Sequence, residues 1–176
     1  MDAELLYKKL LEHLQMKVRS ANSAQSIEIV GLAIGGAWIA ERLASDLGLP
    51  SYGVINVAFH RDDYAEKGLA AMRSEDRMAT HLPFDVTGAH IVLIDDVLLT
   101  GRTVRAALNE LFDFGRPAIV ELMVLADRNK RELPITADFV GELVSVPDHQ
   151  ILALERHSSY ADATQYTFCF VLEGRV

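Results

Sequence analysis

The sequence predicts an α/β fold of three layers around a mainly parallel central sheet, and three observations carry that expectation. Short apolar runs of strand length alternate with longer segments whose apolar residues recur at helical spacing, as in successive β-α-β units. Residues 91–94 form a continuous aliphatic and β-branched run, which suits a strand covered by helices on both faces. Two glycine-bearing loops each fall between a predicted strand and a predicted helix, the joint at which such sheets receive ligands.

Taken in order, Leu5, Leu6, Leu10, Leu11 and Leu14 give an amphipathic first helix. Residues 27–32 read as a strand and 37–47 as a helix closed by Gly48 and Pro50. Residues 52–59 form the next strand, and the polar stretch 60–87 then interrupts the pattern as a flexible loop. After the strand at 91–94, Val104, Ala107, Leu108, Leu111 and Phe112 mark a helix that Gly115 and Pro117 stop. Residues 119–126 supply another strand, while 139–144, 151–154 and 167–172 are short terminal strands of open pairing. No linker, repeat or low-complexity tract divides the chain, so residues 1–176 are expected to form one domain.

Composition narrows the functional classes. A hydrophobic content of 50% in 176 residues is enough for a sizeable core. No apolar stretch is long enough to span a membrane, and Asp2, Glu4, Lys8 and Lys9 do not make a secretory leader, so a cytoplasmic location is expected. The single cysteine, Cys169, lies in a β-rich run and reads as a buried structural thiol. A formal net charge of −8 opposes RNA binding. The nearest basic set, Arg116, Arg128, Lys130 and Arg131, is diluted by Asp127 and Glu132 and reads as a solvated turn. The six histidines lack paired ligand spacing, so no zinc held by the protein is expected.

The chemistry concentrates in residues 90–103. Unpaired buried carboxylates are costly, so Asp95 and Asp96 should emerge at the carboxyl end of their strand, where they can accept hydrogen bonds from vicinal hydroxyls. Leu99, Thr100, Gly101, Arg102 and Thr103 then offer backbone N–H groups, two hydroxyls and a glycine before the positive end of a helix, which suits a phosphate monoester. The bland alternative is a solvated strand end followed by a Thr-capped turn. A diol site beside a phosphate cradle is more specific than either part alone.

A second loop spans Gly31, Gly35 and Gly36 before Ala37 and Trp38. Its first and third glycines have P-loop separation, but Ala37 and Trp38 stand where Lys and Ser or Thr are required, which excludes a nucleoside triphosphatase. Backbone donors at Gly35, Gly36 and Ala37 still suit an anion; the alternative is a tight turn with glycines for packing. His60-Arg61-Asp62-Asp63-Tyr64 opens the polar stretch as either a lid or a charged surface loop. A kinase catalytic loop is excluded, because no Asn stands five residues after Asp62 and no glycine-rich kinase loop precedes it.

The 90–103 segment resembles the phosphoribosyl pyrophosphate (PRPP) motif of type I phosphoribosyltransferases. Extended through Asn109-Glu110-Leu111-Phe112-Asp113-Phe114-Gly115-Arg116-Pro117, Val124-Leu125-Ala126-Asp127-Arg128 and Arg131-Glu132-Leu133-Pro134-Ile135, the chain is similar to the PyrR family of pyrimidine-operon regulators and uracil phosphoribosyltransferases. The similarity is strongest from residue 60 to 141. It implies a type I fold with a small hood from the N- and C-terminal segments, and Mg²⁺-dependent conversion of uracil and PRPP to UMP and diphosphate in pyrimidine salvage.

By the same resemblance, Asp95 and Asp96 hold the ribose hydroxyls and touch Mg²⁺ through water or substrate, while Thr100, Gly101, Arg102 and Thr103 hold the 5-phosphate. Gly35, Gly36, Ala37 and Arg61 meet the pyrophosphate, although Ala33 and Ile34 stand where the family often has a basic or hydroxyl side chain. Phe139 and Val140 touch the base, with Asp127 or Arg128 nearby; read alone, Phe139 is equally a core aromatic. Purine-specific relatives carry an Asp where this chain has Leu99, so a pyrimidine is implied. The resemblance also implies a homodimer or larger homo-oligomer. It leaves room for an RNA-binding regulator that senses UMP or PRPP, which the acidic charge disfavours, and for transfer to another base.

Overall fold

A computed structural model describes residues 1–20, 27–57, 79–158 and 166–174. Helix α1 (Ala3–Ser20) opens the fold, with the Asp2 carboxylate accepting the Leu5 N–H at 3.1 Å. Strand β1 (Ile27–Leu32), helix α2 (Gly35–Leu47) and strand β2 (Gly53–Ile55) follow. Strand β3 (His90–Leu98), helix α3 (Arg102–Phe114) and strands β4 (Ile119–Asp127) and β5 (Phe139–Leu143) complete the main unit. The five strands pair in parallel in the order β2-β1-β3-β4-β5.

Side-chain alternation along the strands explains the three layers. Ile29, Val92, Ile94, Met123 and Leu125 project to one face, where Leu6, Leu10 and Leu14 of α1 and Ile39 and Leu43 of α2 cover them. Val30, Leu32, Ile91, Leu93, Leu122 and Val124 project to the other, beneath Val104, Ala107 and Leu111 of α3. Because both faces are covered, the strands read as uninterrupted apolar runs rather than as alternating ones. Lys17 ties α1 to the sheet, meeting Glu121 at 2.7 Å, and His90 approaches the other oxygen of the same carboxylate at 3.3 Å.

Strands β6 (Gln150–Ser158) and β7 (Tyr166–Gly174) form a separate antiparallel pair. It docks on the helices through named contacts. Glu4 receives both Arg42 and the Phe168 N–H, and the Tyr166 hydroxyl donates to the Trp38 carbonyl at 3.2 Å and approaches Glu41 at 3.3 Å. Burial and then the Glu41 charge push the Tyr166 phenol up to about 12, so it keeps its proton as a donor across the physiological range.

Several expectations are corrected. The motif strand runs four residues past Ile94, because Asp95, Val97 and Leu98 continue the ladder to Val124, Ala126 and Asp127. Of the strand expected at 52–59, Gly53–Ile55 pair in parallel with β1 at the edge of the sheet, and residues 58–59 lie outside the described residues. Of the loop predicted at 60–87, residues 60–78 lie outside the described residues, and its last part is tied to the fold: Val54 and His81 exchange two 2.8 Å hydrogen bonds, and Leu82, Phe84 and Val86 join the α3-side core. Cys169 is exposed rather than buried, since the β7 alternation turns Phe168 inward and Cys169 outward. Among the described residues no helix is long and apolar enough to cross a membrane.

Candidate active site

The two glycine-bearing joints meet at the carboxyl edge of the sheet, and the glycines are the reason they can. A Cβ on Gly36 would lie 2.2 Å from the Ile94 carbonyl oxygen and 3.1 Å from the Asp95 Cα. One on Gly35 would lie 2.5 Å from Asp96 Oδ2 and 2.6 Å from its Cγ. The amino end of α2 therefore sits against the two aspartates of β3 with no side chain between them. Gly35, Gly36 and Ala37 are the first three residues of that helix, so their N–H groups have no partner within it, and Ile34 supplies no side-chain cap. The peptide bond between Ala33 and Ile34 is cis.

The aspartates lie inside β3 rather than beyond it, which corrects the expected strand end. Asp95 is buried and its Oδ1 accepts the Asp96 N–H at 3.0 Å. Asp96 is more open. The positive end of α2 beside them is a physical reason why two adjacent carboxylates are tolerated in a parallel strand.

Past β3, residues 99–103 turn into α3 on the same edge. Gly101 adopts a left-handed φ of +90°, and a Cβ there would also come within 3.0 Å of the Ile135 side chain, so both conformation and space select glycine. Thr100 is buried; its hydroxyl accepts the Arg102 N–H at 3.2 Å, and its carbonyl accepts the N–H groups of Glu132 and Leu133 at 3.0 and 3.1 Å. Arg102 extends outward to Glu132 at 2.6 Å.

The basic residues beyond β4 are not a solvated turn throughout. Arg128 is buried and donates to the carbonyls of Val146 and Pro147 at 3.2 Å. Asp127 is paired with Arg131 and accepts the Asn129 N–H at 2.7 Å. Lys130 does pair on the surface, with Asp148. Local charge runs gave no sign of these long-range partners.

The geometry thus brings Gly35, Gly36, Ala37, Asp95, Asp96, Leu99, Thr100, Gly101, Arg102 and Thr103 to one edge, with Asp127 opposite Leu98 on the neighbouring strand. Phe139 and Val140 do not join them. They begin β5, opposite Met123 and Val124, and the Phe139 ring packs 4.8 Å from His13 of α1 while Val140 faces the α3-side core. Arg61 lies outside the described residues. Trp38, read from sequence only as a departure from the P-loop pattern, anchors α2: Arg156 stacks over its ring at 5.2 Å and Tyr166 bonds to its carbonyl.

Comparison with known proteins fits this arrangement. The Phosphoribosyl transferase domain family matches residues 3–151. A protein named Bifunctional protein PyrR from Ralstonia nicotianae is 50% identical over 167 residues, covering 95% of this chain and 92% of its own length. The chain belongs to the PyrR group of the phosphoribosyl transferase family. A Bifunctional protein PyrR from Pseudomonas aeruginosa is 45% identical over 142 residues, 78% of this chain and 81% of its own length.

Among solved structures, a hypoxanthine-guanine phosphoribosyltransferase from Bacillus anthracis superposes with a TM-score of 0.61 at 18% identity, covering 85% of this chain and 83% of its own. A hypoxanthine phosphoribosyltransferase from Trypanosoma cruzi gives 0.53 at 18% identity, over 82% of this chain and 78% of its own. Those likenesses establish the type I phosphoribosyltransferase fold. As a member of the family the protein is a phosphoribosyltransferase.

Proposed function

We propose that the protein transfers the 5-phosphoribosyl group of PRPP to N1 of uracil, giving UMP and diphosphate. The observation that supports this reading is the contact of the Gly35-Gly36 joint with Asp95 and Asp96, which sets the amino end of α2 beside two carboxylates. In this reading Asp95 and Asp96 accept the ribose hydroxyls, and the loop of Thr100, Gly101, Arg102 and Thr103 takes the 5-phosphate. The N–H groups of Gly35, Gly36 and Ala37, with Arg61, take the pyrophosphate.

The N1–C1 bond forms as the bond from C1 to the pyrophosphate oxygen breaks, and the proton of N1 leaves to solvent. No side-chain nucleophile is needed; rate comes from holding the two ends of PRPP and from placing positive potential at the leaving group. The adjacent carboxylates of Asp95 and Asp96 are hard oxygen donors and fit Mg²⁺ held mainly by substrate oxygens and water. When bound, Mg²⁺ would offset charge on the pyrophosphate. Of the expected base contacts, Asp127 stands at the carboxyl edge opposite Leu98 and is followed by Arg128, whereas Phe139 and Val140, level with Met123 and Val124, could meet the base only from β5, two strands away from β3. A small hood, a homodimer or larger homo-oligomer, a cytoplasmic location and a place in pyrimidine salvage complete the reading.

Leu99 supports a pyrimidine, because no carboxylate precedes Thr100 to meet a purine imidazole nitrogen. A panel of uracil, orotate, hypoxanthine and guanine with labelled PRPP tests the choice: UMP as the main product is expected, and a purine nucleotide as the main product would overturn it. A second reading is favoured by the word bifunctional in the relatives' names: a UMP- or PRPP-responsive RNA-binding regulator. It requires UMP-dependent, salt-sensitive binding to a pyrimidine leader RNA despite the net charge of −8.

A further inference from the structure

We propose that Arg131 is a positioning residue for the phosphate loop, its guanidinium fixing residues 99–103 in the shape that receives a phosphate monoester. The inference rests on the reading of that loop as the 5-phosphate cradle. Arg131 has a side chain only 20% exposed, and its three kinds of nitrogen go to three different segments. Nη1 donates to the Leu99 carbonyl at 2.7 Å, on the loop itself. Nε donates to the Ile135 carbonyl at 2.9 Å, and Nη2 pairs with Oδ2 of buried Asp127 at the end of β4.

These bonds close a bracket around the loop. The backbone N–H groups of Glu132 and Leu133 hold the Thr100 carbonyl, Glu132 holds Arg102 from outside, and Ile135 fills the space beside Gly101. A planar guanidinium with donors in a fixed fork can serve three acceptors at once; an ammonium on a flexible stem concentrates its donors at one point. Removing Arg131 leaves two carbonyls and the Asp127 carboxylate to find other partners, and one of those carbonyls, that of Leu99, belongs to the loop itself. The Arg131 donors go to Leu99, Ile135 and Asp127, so its effect should fall on the phosphate end of the ligand rather than on the diol end.

The test compares wild type, Arg131→Gln and Arg131→Lys in UMP and uridine binding and in steady-state kinetics. For Arg131→Gln the Kd of UMP and the KM of PRPP should rise together by about tenfold, equivalent to roughly 1.4 kcal/mol. Uridine affinity and the KM of uracil should stay within about twofold, and kcat within about threefold. Arg131→Lys should recover only part of the loss, and it decides the question alone if Arg131→Gln does not fold. A folded variant with wild-type UMP affinity and PRPP KM overturns the proposal, as does a fall in kcat with ligand affinities unchanged. Wild-type protein that binds UMP no better than uridine overturns the phosphate reading of the loop, and the proposal with it.

Discussion

A single methyl group at Gly35 should disable the site while leaving the fold intact. The Cβ of Gly35→Ala would stand 2.5 Å from Asp96 Oδ2, which is 3.4 − 2.5 = 0.9 Å short of ordinary contact. The carboxyl end of Asp96 can turn away about χ1, while its Cβ, fixed to the strand and 3.0 Å from the methyl, must give by a few tenths of an ångström, a shift the fold can accommodate. An added alanine methyl also favours helix, and the net effect on stability should stay within about 1 kcal/mol, or roughly 2–4 °C in Tm. Displacing the carboxylate by most of an ångström should forfeit a hydrogen bond to a charged acceptor, worth about 1.5–3 kcal/mol, and lower kcat/KM for PRPP by roughly 10- to 150-fold. Initial rates of UMP formation and thermal unfolding measure the two quantities separately. A double-mutant cycle sharpens the result: Asp96→Ala removes the two nearest atoms, Oδ2 and Cγ, and leaves only the Cβ at 3.0 Å, so in that background Gly35→Ala should cost much less in UMP affinity. A folded Gly35→Ala enzyme within about twofold of wild type, or an undiminished loss in the Asp96→Ala background, would refute the reasoning.

Gly36→Ala should behave in the opposite way, because its Cβ would meet the Ile94 carbonyl at 2.2 Å and backbone in the centre of a sheet cannot step aside. Overpacking of this kind costs about 1–3 kcal/mol or more, so calorimetry should show a clear loss of Tm alongside any loss of activity, and an unchanged Tm would contradict the placement. Acid should destabilise the protein through Glu4 and Glu121. Burial works to raise the Glu4 carboxyl, but the Arg42 and Phe168 hydrogen bonds and the charges of Arg42 and Lys8 outweigh it; for Glu121, Lys17 and His90 likewise outweigh burial, so both lie below 4.5 in the fold. Because the folded values are depressed, this stabilisation is present above pH 4.5 and is lost as pH falls through the folded values. Urea denaturation across pH should show that decline, and Glu4→Gln should remove part of it.

Most of the main sheet was legible because its signals are local. Strands β1 and β4 and helices α2 and α3 carry either uninterrupted apolar runs or helical spacing, and their positions agree with expectation to within a few residues. The end of β3 was misplaced because a rule about buried carboxylates ignores what packs beside them: glycines at the start of α2 lie against both aspartates and let the ladder continue to Leu98. Strand pairing of β6 with β7 and the outward turn of Cys169 depend on how that hairpin sits on α1 and α2, which no local pattern encodes. Arg131 shows the same limit at the site. Its charge was visible, but its partners at Leu99 and Ile135 are backbone carbonyls, to which composition is blind. In sequence, only the family resemblance joined the glycine joint to the aspartate motif. Their contact in space turns them into one candidate site.

The most direct test of the account is UMP synthesis by the purified protein, with and without its two aspartates. Supplied with uracil, labelled PRPP and Mg²⁺, wild type should release labelled UMP and diphosphate in equal amounts. Asp95→Asn/Asp96→Asn protein should unfold at a similar temperature and lose at least about a hundredfold in kcat/KM, since two charge-assisted bonds to the ribose are weakened. UMP synthesis by the double variant at a near-wild-type rate, or none by folded wild type, would contradict the central claim.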